Sequence, residues 1–300
     1  MRGVIVIDKP QGFTSFDVIA VVRRLTGQRK TGHTGTLDPN ATGVLPVLLG
    51  AATKAQDLIV NHDKEYLAGF RLGMTTDTLD IWGQVKSRCE SHISREAVET
   101  ALGRFRGEIE QIPPMFSAVQ QNGQRLYDLA RKGIEVARKP RTVTVYRLEL
   151  LAFDEAEQSG TLQIRCSKGT YVRTLIDDMG KALGCGAVMT ALRRTFACGY
   201  TLDDCVTLDE LKALCESGTI TDRLRPTESL FTDYAAVTVS EAQAKRFCNG
   251  APLDINRTAL RGSGLENQTV LRVKDPSGAF LGLGITSDGA LKIYKLFCNA

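Results

Sequence analysis

The chain has 300 residues, 43% of them hydrophobic and 24% charged, the profile of a soluble globular protein with room for two domains. No apolar run approaches the ~20 residues of a membrane span, and the run Val4 to Ile7 ends in Asp8-Lys9-Pro10, unlike a signal peptide, so a cytoplasmic location is expected. The eight cysteines form no Cys-x-x-Cys and no histidine pair stands at zinc spacing, so neither a structural disulfide nor a bound metal is expected.

Gly3 to Ile7 reads as a strand and Lys9 to Gly12 as a turn. Ser15 is the candidate cap of a helix carrying Asp17 in its first turn and Ile19, Val22 and Leu25 at helical spacing. That helix ends within Gly27 to Thr31 and opens into Gly32 to Pro46, with three glycines, two prolines and one carboxylate, Asp38. Pro39 biases Asp38 away from the helical region, and the glycines permit close approach of the backbone to a ligand. The residues alone leave Asp38 as either a turn former or a chemical group. Val44 to Leu49 should be buried, Thr53 to Val60 should form a short helix, and Tyr66 to Arg71 a strand running into a polar segment that ends at Asp80.

Ser94 is placed to cap a helix over Glu96 to Phe105. Pro113-Pro114 opens an irregular segment with a short helix at Leu126 to Arg131. Thr142 to Phe153 and Thr161 to Ser167 alternate as strands do, the second with Leu162, Ile164 and Cys166 on one face. Thr170 to Leu183 is a helix with Val172, Leu175, Ile176, Met179 and Leu183 in its buried stripe and Arg173 one residue off it. Gly184-Cys185-Gly186 stops it, the run Ala187 to Leu192 follows, and Thr207 caps a helix to Glu216. A polar boundary at Thr221 to Tyr234 precedes a helix over Ser240 to Phe247 and three strands, at Thr269 to Val273, Phe280 to Gly284 and Leu291 to Phe297.

The net charge of +4, from 38 basic and 34 acidic residues, does not mark a nucleic-acid binder, but the distribution is uneven. Between Gln121 and Arg147 seven basic residues, among them Arg125, Arg131 and Arg141, face two acidic ones, a local +5. Residues 1 to 30 carry six basic and two acidic residues, a local +4. Such patches can hold a phosphate backbone.

Several stretches carry a family resemblance when taken in order. They are Ile7-Asp8-Lys9-Pro10-Gln11-Gly12-Phe13-Thr14-Ser15, Gly32-His33-Thr34-Gly35-Thr36-Leu37-Asp38-Pro39, Lys64-Glu65-Tyr66, Pro113-Pro114-Met115-Phe116-Ser117-Ala118, Arg125 to Gly133, Ser167 to Leu175, and Leu192-Arg193-Arg194. The set resembles the TruB family of tRNA pseudouridine synthases over residues 3 to 195. The resemblance implies an α+β pseudouridine synthase fold, with a mixed, largely antiparallel sheet and flanking helices around a central cleft. It implies a catalytic domain over residues 1 to 230, with an RNA-gripping insert at 113 to 141, and a small β-rich PUA-like domain over 235 to 300.

The implied reaction isomerises uridine-55 of the tRNA TΨC loop: the base is flipped out, cut from its ribose at N1, turned, and rejoined through C5. Asp38 is then the catalytic carboxylate, Arg173 the cation that keeps it ionised and aimed, and Tyr66 the aromatic platform. His33 would hold the RNA loop, Leu192 would line the uracil pocket, and Lys54, Arg125, Arg131 and Arg141 would meet the RNA. Lys9 is expected to support the loop. No cofactor is implied; the partner is tRNA, with no guide RNA, protein partner or membrane, and the chain is expected to be a monomer. Two departures stand out: Phe116 where the family usually has Tyr, and Gln120 where it usually has Lys. Two other readings keep the same scaffold: an RNA-binding protein without catalysis, and a guide-RNA-dependent synthase. A phosphate-loop nucleotidase is excluded, because Gly-Lys-[Ser/Thr] is missing at the required spacing.

Overall fold

A computed structural model describes residues 1–59 and 63–298. Its larger part is a nine-stranded sheet. The first strands are β1 (Gly3–Lys9), β2 (Thr31–His33), β3 (Thr42–Leu49) and β4 (Lys64–Leu72), with α1 (Ser15–Thr26) after β1. A hairpin of β5 (Met74–Thr76) and β6 (Val85–Arg88) leads to α2 (Arg95–Leu102) and β7 (Gly107–Gln111). The segment that follows holds a tiny hairpin, β8 (Gln120–Gln121) and β9 (Gln124–Arg125), and α3 (Leu126–Ala130). Then come β10 (Arg141–Asp154), β11 (Ser159–Cys166), α4 (Val172–Ala182), β12 (Ala187–Ala197), β13 (Tyr200–Thr201) and α5 (Leu208–Glu216). The sheet order is β1-β3-β12-β4-β11-β10-β7, with β2 on β3 and β13 on β12. Within it the β3–β12 pair is parallel and the other pairs are antiparallel, a mixed sheet in an α+β fold.

The two faces explain the sequence patterns. α2 and α4 cover β4, β10, β11 and β12 through Phe70, Leu162, Ile164, Leu175 and Met179, while Leu67, Gly69 and Arg71 of β4 point away. β1 is buried on both faces, so Val4 to Ile7 reads as a continuous apolar run instead of an alternation. Ile5 and Ile7 pack under α1 and α5, whereas Val4 and Val6 pack with Phe231 and Phe297. In β10 the alternation shifts phase between Val145 and Leu148 because a bulge there changes its register with β11.

A second, five-stranded sheet has the order β14 (Ala236–Thr238), β16 (Val270–Lys274), β17 (Phe280–Ser287), β18 (Ala290–Leu296) and β15 (Leu253–Asp254), with α6 (Glu241–Cys248) packed beside it. The stretch expected to be a polar boundary is anchored: Leu230 and Phe231 are buried, and Phe231 packs on Tyr234, Phe280 and Phe297. Polar composition hid this joint because two large apolar side chains suffice to make it.

Three other local expectations change. Ser15 does not cap α1; Thr14 does, in a capping box with Asp17. The helix expected over Thr53 to Val60 is a 3-10 turn at Gly50–Ala55, and Val60 lies outside the described residues. The polar segment before Asp80 contains β5, whose pairing with β6 no apolar alternation signalled. Among the described residues no helix is long and apolar enough to cross a membrane.

Candidate active site

Asp38 sits on the loop between β2 and β3, and that loop is fixed mainly through its backbone. Gly12 N donates to Pro39 O at 2.9 Å and Ala41 N to Asp38 O at 3.0 Å. The Ser15 hydroxyl, released from capping, accepts from Leu37 N at 2.9 Å and donates to Leu37 O at 3.2 Å. Lys9 is fully buried, and its ammonium donates to the carbonyls of Pro10, Phe13 and Pro39 at 2.9, 2.5 and 3.1 Å. Burial lowers its pKa to about 8, opposed by the nearby Asp38 charge. Its role is to hold the loop: Lys9→Met would strand the carbonyls of Pro10 and Phe13, while Pro39 O keeps Gly12 N, and is expected to cost about 2 kcal/mol of stability, read from the urea midpoint. The Asp38 side chain remains 42% exposed above this support.

Arg173, the second residue of α4, is only 6% exposed. Its Nη2 lies 3.0 Å from Asp38 Oδ2 and donates to Phe116 O at 2.8 Å. Its Nη1 donates to Thr78 O at 3.0 Å and lies 3.9 Å from Asp80 Oδ2. One planar guanidinium thus joins the Asp38 loop, the loop after β5 and the segment after β7. The departure at Phe116 leaves this contact intact, because the carbonyl makes it. Asp80 had no role in the sequence reading; its Oδ1 accepts from the Thr78 hydroxyl at 2.7 Å and from Trp82 N at 3.2 Å. Burial raises its pKa against the pull of Thr78 and Arg173.

Tyr66 and Leu192 come together through strand register. β4 and β12 pair Tyr66 with Arg194 and Ala68 with Leu192, which brings these side chains to one face. Tyr66, Leu192, Lys64, Asp38 and Arg173 line a recess of about 320 Å³. Burial pushes the Tyr66 phenol up to about 12, opposed by the neighbouring Arg194 guanidinium, so the phenol is neutral at neutral pH. Arg194 is fully buried, donating from Nε to Val44 O at 2.7 Å and from Nη2 to Gly35 O at 3.1 Å. Gly43, at φ +100°, is required here: a Cβ would collide with the Arg194 carbonyl. That glycine therefore serves strand approach, where the sequence reading had assigned ligand approach. Arg193 makes a two-pronged pair with Asp8 at 3.2 and 2.7 Å.

The recess opens into an outer cleft of about 810 Å³; both are lined by Thr36, Leu37, Asp38, Ser117, Ala118 and Arg173. His33 lines the outer cleft with its ring edge-on to Phe16 at 5.7 Å and 77°. Burial, helped by Arg194, lowers its pKa, and its buried Nδ1 has no hydrogen-bond partner among the described residues. Across the cleft Arg125 and Arg131 flank the Tyr127 ring at 5.9 and 5.4 Å. Two expected RNA contacts stand apart. Arg141 is exposed at the start of β10, opposite Gln111, and Lys54 donates to Leu296 O of β18 at 3.4 Å. Neither lines the recess or the outer cleft.

A carboxylate paired with a buried arginine thus stands at the mouth of a recess with one aromatic and one aliphatic wall. Comparison with known proteins gives the family. The profile described as TruB family pseudouridylate synthase, N-terminal domain, matches residues 23–172. A tRNA pseudouridylate synthase B C-terminal domain profile matches 173–232, and a pseudouridine synthase II TruB C-terminal profile matches 235–297. The chain belongs to the TruB family of pseudouridine synthases. It is 44% identical over 300 residues to tRNA pseudouridine synthase B of Pseudomonas fluorescens, covering 99% of this chain and 95% of that one. It is 42% identical to the Clostridium perfringens protein of the same name, covering 99% of each. Among solved structures, a Cbf5-Nop10-Gar1 complex contains a chain 27% identical with a TM-score of 0.75, covering 99% of this chain and 85% of that one.

Proposed function

We propose that this protein isomerises a uridine of tRNA to pseudouridine, the target being uridine-55 of the TΨC loop, and that it works as a monomer in the cytoplasm without guide RNA or protein partner. The observation that carries this reading is the Asp38–Arg173 pair at 3.0 Å, at the junction of the outer cleft and the recess. The flipped uracil enters the recess between Tyr66 and Leu192, and the Asp38 carboxylate meets the sugar C1′ or base C6. The N1–C1′ bond breaks, the base turns without leaving the recess, and C5 bonds to C1′. N1 ends protonated and C5 loses its proton, so atoms and oxidation state balance and the reaction calls for no cofactor.

In this reading residues 1–230 carry the chemistry and 235–300 form a PUA-like unit that adds RNA surface, with Lys54 exposed at their seam. Arg125 and Arg131, within the insert at 113–141, and Arg141 at its end contact phosphate and position the RNA more than they read its sequence. The test is the purified protein alone on a TΨC stem-loop, with pseudouridine mapped at the target. Pseudouridine is expected, and with about four phosphate contacts the affinity should fall roughly 50-fold between about 50 and 200 mM salt. Product appearing only when a guide RNA is added would replace this reading with the guide-dependent one. Salt-independent affinity would remove the insert from RNA binding.

A further inference from the structure

Trp82 is the single tryptophan of the chain, and it is 43% exposed. It lines the outer cleft on the side of Asp80 and Thr78. A large aromatic left open to solvent contributes little to the core, yet the loop that carries it is tightly tied down. Ile81 N donates to Met189 O at 2.9 Å, Gln84 N to Asp77 Oδ1 at 2.7 Å, and the Thr76 hydroxyl to Asp80 O at 2.7 Å. Gly83 has no room for a Cβ, which would collide with the Thr78 hydroxyl. Trp82 N itself donates to Asp80 Oδ1 at 3.2 Å, and the other oxygen of that carboxylate faces Arg173. The loop backbone that carries the indole is therefore tied, through Asp80, to the Arg173 guanidinium that pairs with Asp38.

We propose that Trp82 is a stacking platform for a base next to the target uridine, and so a positioning residue for the isomerisation. The proposal rests on the functional reading above. Flipping one nucleotide out of a folded loop also unstacks its neighbour, and an aromatic face recovers the lost stacking without regard to base identity. A platform whose loop backbone is tied to Asp80 holds that neighbour beside the cleft in the bound complex and the transition state alike, so its effect falls on binding and on KM.

A lone tryptophan makes the test direct. Intrinsic fluorescence of the Asp38→Asn protein is titrated with the TΨC stem-loop, then with stem-loops carrying an abasic site on either side of the target. Quenching that saturates with binding, and that is lost for one abasic stem-loop but kept for the other, is the expected result. With otherwise wild-type protein, Trp82→Ala should raise KM roughly 10-fold or more while kcat changes less than about threefold, and Trp82→Phe should restore most of the loss. A stem-loop that binds without quenching, or an unchanged KM in Trp82→Ala, overturns the proposal while leaving the enzymatic reading intact. Absence of pseudouridine with wild-type protein is the separate outcome that sinks the reading itself.

Discussion

Asp38→Asn protein should bind the TΨC stem-loop within a few-fold of wild type and form no measurable pseudouridine, a fall in kcat on the order of 10⁴-fold or more. Asn has nearly the shape of Asp, so the substitution removes charge and nucleophilicity with little change in volume. The loop should keep its form, because Gly12, Ser15, Lys9 and Ala41 hold it without using the Asp38 side chain. Arg173 loses one partner but retains the carbonyls of Thr78 and Phe116 and faces Asp80. Quantitative pseudouridine mapping on purified protein, with binding measured in parallel, checks this. Appreciable product from Asp38→Asn protein would remove Asp38 from the chemistry, whatever its effect on affinity.

The second large effect is expected at Arg173. Its guanidinium meets acceptors from three segments, and a lysine ammonium has neither the planar fork nor the reach to satisfy them together. Arg173→Lys should lower kcat by about 10²- to 10³-fold, as loss of a preorganised donor does elsewhere. It should also lower stability by about 2 kcal/mol through the carbonyls of Thr78 and Phe116 left without a donor. Arg173→Met is the sharper case, because it leaves Asp38 and Asp80 facing each other without a cation. Burial already holds the Asp80 carboxyl above its ordinary range, and Arg173 is one of the influences drawing it down. Without Arg173 that carboxyl takes up its proton at still higher pH, a shift that NMR titration of the Asp80 carboxyl in Arg173→Met protein would read. An unmoved Asp80 titration and an unchanged kcat, with only a lower melting temperature, would reduce Arg173 to a structural strut.

Much of this architecture was legible in the residues. Ser94 and Thr207 announce helices at their caps, and each cap forms. The face formed by Leu162, Ile164 and Cys166 is fully buried, as period-2 alternation requires. Of the stripe Val172, Leu175, Ile176, Met179 and Leu183, the first four are buried on α4, and Leu183, just past its end, is half-buried. Such signals are short-range: a cap or a stripe depends on residues a few positions apart, and the chain states them openly. Family resemblance then singled out Asp38, Tyr66, Arg173 and Leu192, which the structure gathers around one recess.

The burial of Arg194 and the pairing of Asp80 were the illegible part. Arg193-Arg194 reads as a polar end to an apolar run, yet Arg194 is fully buried with its acceptors at Val44 and Gly35, 150 and 159 residues away. Asp80 reads as the end of a polar turn until α4 brings Arg173 beside it. Trp82 carries no sequence signal of its own, since only the closed fold shows which face of its loop meets the cleft. A buried cation is tolerable only when acceptors surround it, and those acceptors come from segments that local spacing does not link. The sequence by itself determined most of the elements and the faces they bury, and the family resemblance named Asp38 and Tyr66 as candidates for chemistry. Tertiary structure alone decided which cations are desolvated and paired, because that depends on carbonyls and carboxylates brought together by the register of β4 with β12 and the seat of α4.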